Sequence, residues 1–232
     1  MDNTVARVTN KETGTWVEVW MDDISYENPL RDWDIGCHIE LYGQWEGAGT
    51  KHCPHVVTDK NGEELEFESD NKFATWLNAN GGVAMPIRAY EHGSVAFSAD
   101  VCNLGYPFND PWDSYWAGIA YMTPAEIEEN YGKYYPTLKE RQQHARDLIA
   151  GEIKLLNAYC NGQIYGFSCY NPDGDVVESM GGFYDTYDLW DDLLKDMSGN
   201  APTDEYVNMI KECDIGRMDE LEVTVTKCVK IA

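Results

Sequence analysis

The sequence predicts an α+β protein built on an antiparallel sheet, with helices packed mainly on one face of that sheet. Several short segments alternate apolar and polar residues and are joined by turn-rich stretches, which is typical of antiparallel strands. Two Thr-x-x-Glu capping boxes mark the starts of helices. The order of strands and helices is irregular, which argues against a doubly wound nucleotide-binding fold.

The first third of the chain predicts short strands and one helix. The segment "TWVEVWM" (15–21) alternates as a half-buried strand does, and "CHIELYG" (37–43) follows after a turn-rich stretch. A short helix is predicted to begin with Asp70 or Asn71 as its cap and to end before Gly81.

The middle of the chain carries clearer signals. Residues 83–99 predict a hairpin with its turn at 91–93, and "WAGIAYM" (116–122) predicts a buried strand. Thr123, followed by Pro and then Glu126, forms a capping box that starts a helix. A second box, at residues 137–140, starts the longest helix, over about 138 to 159, which Asn161-Gly162 ends. Its apolar stripe comprises Leu148, Ile149, Ile153, Leu156 and Tyr159.

The last third predicts a hairpin over 163–184, whose turn is the segment "NPDGD" (171–175). A helix follows at 185–197, a short helix begins near Thr203, and the alternating segment 220–231 predicts a closing strand. Neither a repeat nor a long linker divides the chain. We therefore predict a single domain over 1–232, with a possible division into a strand-rich part (1–110) and a helix–hairpin–helix part (111–232).

Charge is the strongest signal in the composition. The 232 residues include 41 Asp and Glu against 17 Lys and Arg, a net charge of −24. A field of that sign repels nucleic acid and anionic lipid and favours basic partners. We therefore expect no direct binding of nucleic acid, no membrane attachment and a basic protein as partner.

The expected compartment is the cytoplasm. The N-terminal segment "MDNTVARVTNKETGTW" lacks the apolar core of a signal peptide, and no segment reaches the roughly 18 apolar residues of a membrane helix. The seven cysteines are scattered and form no CxxC pair, so reduced thiols packed as small apolar groups are expected. No cofactor is predicted.

Histidine and cysteine concentrate in one stretch that offers a metal-binding alternative. Thiolate and imidazole suit zinc, but the spacing matches no zinc finger or ribbon, and neighbouring strand residues point to opposite faces. Core cysteines and surface histidines are the simpler interpretation. The alternative ligands are Cys37, His38, His52, Cys53 and His55.

A catalytic alternative rests on His92 and Asp113. A histidine oriented by an aspartate from a distant loop can act as a general base. The chain has no GxSxG motif, Walker A loop, HExxH or EF-hand, and both residues are ordinary in turns. The sequence therefore favours a binding protein over an enzyme.

The predicted helix "DTYDLWDDLLKDM" (185–197) divides into two faces. At about 100° per residue, Leu189, Trp190, Leu193, Leu194 and Met197 form an apolar arc that packing explains. Four aspartates fall on the opposite arc, where neighbouring like charges repel by roughly 0.2–0.5 kcal/mol per pair.

The acidity extends beyond this helix, since residues 173–222 contain 15 acidic and 3 basic residues. A solvated surface is one explanation, and a docking surface for a basic partner is the other. The candidate binding residues are Asp185, Asp188, Asp191, Asp192, Asp196, Asp204, Glu205, Glu212 and Asp214.

Six segments between about residues 28 and 186 resemble a family of uncharacterised proteins carried by bacteriophages and other mobile elements. They are "NPLRDWDIGCHIELYG", "FATWLNAN", "VAMPIRAYEHGSVAF", "DPWDSYWAGIAYMTPAEIEENYG", "EIKLLNAYCNGQIYGFSCY" and "ESMGGFYD". The chain departs from the family by an insertion around "YGQWEGAG" and by its acidic tail after 186. The resemblance implies a mobile-element origin and action in a bacterial cytoplasm, and it supplies no catalytic residues.

Charge and resemblance together predict a phage or mobile-element accessory protein. It would bind and inhibit a host nucleic-acid-handling defence or restriction protein through an acidic surface that mimics DNA. The alternative is a small cytoplasmic enzyme, such as a metal-assisted hydrolase, that uses the histidine, cysteine and aspartate residues named above.

Overall fold

A computed structural model describes residues 4–22, 28–33, 35–50, 56–59, 61–99, 105–184 and 221–225. The chain forms two compact units, one from residues 1–26 and 162–232 and the other from residues 27–161. We call them the sheet unit and the helical unit. Within the helical unit, strand Val83–Glu91 pairs with both Val95–Ser98 and Ser114–Met122, so strands from either side of residue 110 belong to one sheet.

Strands outnumber helices in the described part of the chain. In chain order the strands are β1 (Thr4–Asn10), β2 (Trp16–Met21), β3 (His38–Leu41), β4 (Val56–Thr58), β5 (Glu64–Glu66), β6 (Val83–Glu91), β7 (Val95–Ser98), β8 (Ser114–Met122), β9 (Ile164–Tyr170), β10 (Val176–Tyr184) and β11 (Leu221–Val225). The helices are α1 (Pro29–Asp32), α2 (Asp70–Ala79), α3 (Pro124–Tyr131) and α4 (Leu138–Cys160), with a short 3₁₀ helix at Gly43–Trp45. None of the helices among the described residues combines the length and apolar character that crossing a membrane requires.

The sheet unit contains a five-stranded sheet in the order β10-β9-β2-β1-β11. The hairpin predicted over 163–184 is confirmed as β9 and β10, and the strand predicted at 15–21 is confirmed as β2. The closing strand is confirmed over Leu221–Val225, but it pairs parallel to β1 rather than antiparallel. The remainder of the predicted strand, 226–231, lies outside the described residues, as do the helices predicted at 185–197 and near Thr203.

A pair of glycines in β10 accommodates a buried carboxylate in the sheet unit. The register between β10 and β9 shifts between Met180 and Phe183, and Gly182 there adopts a φ of +84°. The backbone N–H of Gly182 donates to Asp22 Oδ2 at 3.2 Å. A Cβ on Gly181 would lie 2.5 Å from the same oxygen, so this position requires glycine.

The helical unit contains a four-stranded antiparallel sheet in the order β3-β8-β6-β7. One core cluster contains Val83, Ile87 and Met122 of the sheet, with buried residues of α1, α3 and α4. A second cluster contains Ala84, Ile119 and Tyr121 of the same strands, with Phe73 and Leu77 of α2. Because alternate residues of a strand point to opposite faces, the two clusters lie on opposite faces of this sheet.

The α+β class and the antiparallel sheets are therefore confirmed, with one correction. The strands form two larger sheets and a two-stranded β4-β5 sheet instead of one sheet. In the helical unit the buried residues of α1, α3 and α4 pack on one face of the four-stranded sheet, and α2 covers the opposite face.

The helix starts agree with the sequence where a capping box signals them. Both predicted boxes form at the N-termini of α3 and α4, with the Thr hydroxyl and the Glu carboxylate each accepting from the other's backbone. The cap of α2 was wrong by one residue, because Ser69 is the N-cap and Asp70 is the first helical residue. The Asp70 carboxylate instead accepts a 2.6 Å hydrogen bond from the hydroxyl of Tyr42.

Candidate interaction site

The tip of the β6–β7 hairpin joins His92 to Asp113, the two residues of the catalytic alternative. The imidazole Nδ1 lies 3.0 Å from Asp113 Oδ2, and the backbone N–H of Glu91 donates to the Asp113 carbonyl at 2.9 Å. The chain turns directly after His92, because Gly93 adopts a φ of +77° that glycine tolerates without strain. The His92 side chain is 74% exposed, so solvent reaches this pair freely.

The segment before β8 is held in one conformation by hydrogen bonds of its own. Asp110 Oδ1 accepts from the backbone N–H groups of Trp112 at 2.8 Å and Asp113 at 2.9 Å. The Asp113 and Trp112 amides lower the pKa of the Asp110 carboxyl, because they stabilise its ionised form. Ser114 Oγ donates to the carbonyl of Pro107 at 2.7 Å, so this hydroxyl is engaged in holding the loop.

Aromatic residues lie next to the His92–Asp113 pair, in space or in sequence. Tyr90 stacks on the His92 ring with a centroid separation of 6.4 Å, and its hydroxyl lies 3.4 Å from that of Tyr106. This hydrogen bond raises the pKa of Tyr90 to about 12, so the phenol is neutral near pH 7. Tyr106 is 76% exposed and Trp112 is 90% exposed, which is unusual for side chains of their size.

We define the aromatic loop as residues 105–113 together with Tyr90 and His92. Its charged side chains are acidic, and the sequence contains neither Lys nor Arg from residue 89 to residue 132. Large aromatic rings therefore lie in solvent beside Asp110 and Asp113. This combination suits contact with a cationic surface, because aromatic faces and carboxylates both attract cations.

The inner side of the same hairpin carries a separate hydrogen-bond network. Glu91 Oε2 accepts from Gln44 Nε2 at 2.7 Å and from the Tyr115 hydroxyl at 2.9 Å. The Tyr115 oxygen in turn accepts from Trp45 Nε1 at 3.0 Å. Burial, followed by the bond to Glu91, raises the pKa of Tyr115. This network fixes Glu91, the strand residue that precedes His92.

Only two of the five candidate metal ligands, Cys37 and His38, lie among the residues that the structure describes. Cys37 is buried in the core, and burial raises the pKa of its thiol, which disfavours the thiolate that a metal binds. His38 Nε2 lies 2.7 Å from Glu126 Oε1, and its ring stacks on Tyr121. In the part of the chain that the structure describes, no group of three or more His, Cys, Asp or Glu side chains could hold a metal ion. His52, Cys53 and His55 lie outside that part.

The predicted acidic binding residues also lie outside the described residues. They are Asp185, Asp188, Asp191, Asp192, Asp196, Asp204, Glu205, Glu212 and Asp214. Their role stays a prediction from the sequence.

A cavity of about 500 Å³ in the helical unit lies elsewhere on the four-stranded sheet. Tyr42, Glu68, Asp70 and Trp116 are among the residues that line it. Its carboxylates have cations close by, because Lys72 pairs with Glu68 and the Arg88 guanidinium lies 4.9 Å from the centroid of the Trp116 ring. The charges around this cavity are thus nearly balanced, whereas those of the aromatic loop are not.

Sequence reasoning found His92 and Asp113 but missed the aromatic residues around them. The signal was present in "YPFNDPWD" (106–113), where two aromatic residues in addition to Tyr106 stand in a turn-forming segment that has no apolar periodicity. Aromatic residues without a strand or helix period are candidates for exposure. Their juxtaposition with Tyr90 depends on the pairing of β6 with β8 and could not be read locally.

No protein family, curated protein or solved structure matches this chain. We therefore describe the chain by its fold and its site, as an acidic α+β protein with solvent-exposed aromatic and carboxylate side chains in one loop.

Proposed function

We propose that this protein is a phage or mobile-element accessory protein that binds and inhibits a basic host protein. The partner would be a nucleic-acid-handling enzyme of host defence or restriction. The site of action would be the bacterial cytoplasm. The protein would act without a cofactor and without touching nucleic acid itself.

The observation that carries this proposal is the uneven distribution of charge. Residues 173–222 hold 15 acidic and 3 basic residues, so this fifth of the chain carries half of the net charge of −24. Repulsion among such carboxylates opposes folding, and a basic partner would relieve it. The sequence contains a second acidic stretch, since residues 61–132 contain 12 acidic residues and only Lys72 and Arg88 as basic ones.

The mechanism is electrostatic competition. Carboxylates presented in an array would occupy the groove in which the partner binds phosphates, and nucleic acid would be excluded from that groove. Charge complementarity of this kind accelerates association and weakens with salt, because the Debye length falls from about 10 Å at 0.1 M to about 3 Å at 1 M.

A pull-down from bacterial lysate at low and high salt tests the proposal. The informative variant changes Asp188, Asp191, Asp192 and Asp196 together to Asn. Its matched control removes the same number of charges at exposed positions elsewhere, namely Glu12, Glu63, Glu129 and Asp147, changed to the corresponding amides.

The proposal predicts a basic partner that the first variant loses and the control retains, and whose capture weakens as salt rises. Absence of any basic partner, or equal capture by both variants, would remove the proposal.

The 3.0 Å contact between His92 and Asp113 favours one second candidate, a hydrolytic enzyme in which Asp113 orients His92 as a general base. This candidate is less favoured than the first, because the imidazole is exposed to solvent and the Ser114 hydroxyl already donates a hydrogen bond to the Pro107 carbonyl. A screen of chromogenic ester substrates with His92→Ala and Asp113→Asn measures it directly. Turnover that both variants abolish would favour the enzyme, and turnover that survives in both would reject it. Metal analysis of the purified protein tests its metal-assisted form.

A further inference from the structure

The aromatic loop has the properties of a preformed contact surface. Trp112 and Tyr106 are 90% and 76% exposed, yet the backbone around Trp112 is fixed by two hydrogen bonds to Asp110. Fixing a loop before binding reduces the conformational entropy that association must overcome. Tryptophan and tyrosine are also the residues that contribute most often to binding at protein interfaces.

The charge of this surface specifies the kind of partner. Asp110 and Asp113 flank the exposed Trp112 ring on either side in sequence, and the lowered pKa of Asp110 keeps its carboxyl ionised well below pH 7. The aromatic loop itself contains no Lys or Arg. A cation that approaches this segment therefore meets carboxylates from both sides of Trp112 in the sequence and no Lys or Arg of the loop.

Elsewhere in the helical unit an aromatic ring of this protein already receives a guanidinium. Arg88 lies over Trp116 with its Cζ 4.9 Å from the ring centroid. The planar guanidinium combines stacking on a ring with paired hydrogen bonds to a carboxylate, which an ammonium group does less well. Trp112 presents the same kind of ring beside carboxylates in an open position.

We propose that the aromatic loop binds arginine side chains of the basic partner, with Trp112 and Tyr106 as the aromatic surfaces and Asp110 and Asp113 as the carboxylates. This inference rests on the proposed function for the identity of the partner, but it concerns other residues than those of the acidic segment 185–214. The loop would anchor one part of the partner independently of the acidic segment.

The direct test uses the purified full chain and three synthetic peptides that differ in one residue type. An arginine–glycine repeat is compared with its lysine counterpart and with a citrulline counterpart, which keeps the shape of arginine and removes its charge. The expected order of affinity is arginine, then lysine, then citrulline. Trp112→Ala should weaken binding of the arginine peptide roughly three- to tenfold.

The control variants are Tyr134→Ala and Trp33→Ala. Tyr134 is 69% exposed and has the Lys133 ammonium 5.7 Å from its ring centroid, and Trp33 is 47% exposed in a different segment. Both should leave arginine-peptide affinity within about twofold, since neither ring lies beside Asp110 and Asp113. All variants are compared at equal folded fraction, checked by their urea unfolding midpoints.

Equal loss in the control variants, unchanged affinity in Trp112→Ala, or equal binding of all three peptides would overturn the inference. Its failure can be separated from that of the proposed function. Loss of the cellular partner through Trp112→Ala but not through the change of Asp188, Asp191, Asp192 and Asp196 would support the aromatic loop and reject the acidic segment. The reverse pattern would support the proposed function and reject this inference.

Discussion

The side-chain amide of Asn157 forms two hydrogen bonds with the main chain of Phe97. The backbone N–H of Phe97 donates to Asn157 Oδ1 at 2.7 Å, and Asn157 Nδ2 donates to the Phe97 carbonyl at 3.0 Å. One helical turn later, Asn161 repeats this pair with Val95. Side chains at the end of helix α4 thus form hydrogen bonds with the main-chain groups along the outer edge of strand β7. Another strand could otherwise pair with these groups.

Replacing Asn157 with Ala should destabilise the helical unit by about 2–4 kcal/mol. The change leaves one buried donor and one acceptor of Phe97 unsatisfied, and each such group costs about 1–3 kcal/mol. Equilibrium urea unfolding measures the loss. Gln143→Ala, at an exposed position of the same helix, is the control and should change stability by less than about 0.5 kcal/mol. A loss for Asn157→Ala as small as that of the control would show that this edge is not held by the amide.

Removing both asparagines should also promote self-association. The double variant Asn157→Ala, Asn161→Ala would expose the main-chain groups of Val95 and Phe97 along one edge of the four-stranded sheet, and unpaired edges of this kind recruit other strands. The average molar mass from light scattering below the unfolding temperature should rise with protein concentration for the double variant but not for the unmodified chain. Monodisperse behaviour of a folded double variant would contradict this expectation.

The ionised Glu126 carboxylate should stabilise the folded protein at neutral pH, and this contribution should disappear in acid. Burial opposes ionisation of this carboxyl, but hydrogen bonds from His38 and from the Thr123 backbone outweigh it and lower the pKa of Glu126 in the folded state. The unfolded chain therefore binds the proton more readily. The contribution is complete above the usual glutamate pKa of about 4.3 and is lost as the pH falls through the lower folded-state pKa.

The measurement is the difference in unfolding free energy between the unmodified chain and Glu126→Gln. Glutamine preserves a capping-box partner for Thr123 while removing the charge, so the difference should be positive at pH 7 and shrink toward zero in acid. Glu129→Gln, exposed on the same helix, is the control for the loss of one carboxylate. A Glu126→Gln difference that is constant from neutral to acid pH would argue against the lowered pKa.

Two glycine-to-alanine changes should alter stability in opposite directions. A Cβ at Gly166 in β9 would collide with the indole ring of Trp20, whereas a Cβ at Gly151 in α4 would meet no atom within 4 Å. Gly166→Ala should therefore destabilise by about 1–3 kcal/mol. Gly151→Ala should stabilise by about 0.5–1 kcal/mol, because alanine is the better helix former. Thermal unfolding compares the two, and changes of the same sign would contradict the packing described around Trp20.

The parts of the fold that local chemistry determines were predictable. The two capping boxes gave the starts of α3 and α4 to the residue, because both partners of each box lie within four positions of one another. The β9–β10 hairpin was equally clear from its turn. The parallel pairing of β11 with β1 could not be predicted. Leu221 and Ala6 are far apart in sequence, and no local feature specifies the partner strand.

The sequence predicted two residues of the candidate site, but not how its residues are arranged in space. His92 and Asp113 were proposed together because an aspartate from a distant loop can orient a histidine, and the pairing of β6 with β8 brings them to 3.0 Å. The exposure of Trp112 was indicated only indirectly, by its place in a turn-forming segment without apolar periodicity, because a tryptophan is usually packed. The role of Asn157 was hidden for a similar reason, as an asparagine on a helix normally contacts solvent.

Displacement of nucleic acid tests the central claim most directly. The captured basic partner is loaded with a fluorescently labelled oligonucleotide, and the protein is titrated in at about 0.1 M salt while anisotropy is followed. We predict complete release of the oligonucleotide, no release by the variant in which Asp188, Asp191, Asp192 and Asp196 are Asn, and release by the charge-matched control. A ternary complex that retains the oligonucleotide, or equal release by both variants, would contradict the claim that this protein competes as an acidic mimic of nucleic acid.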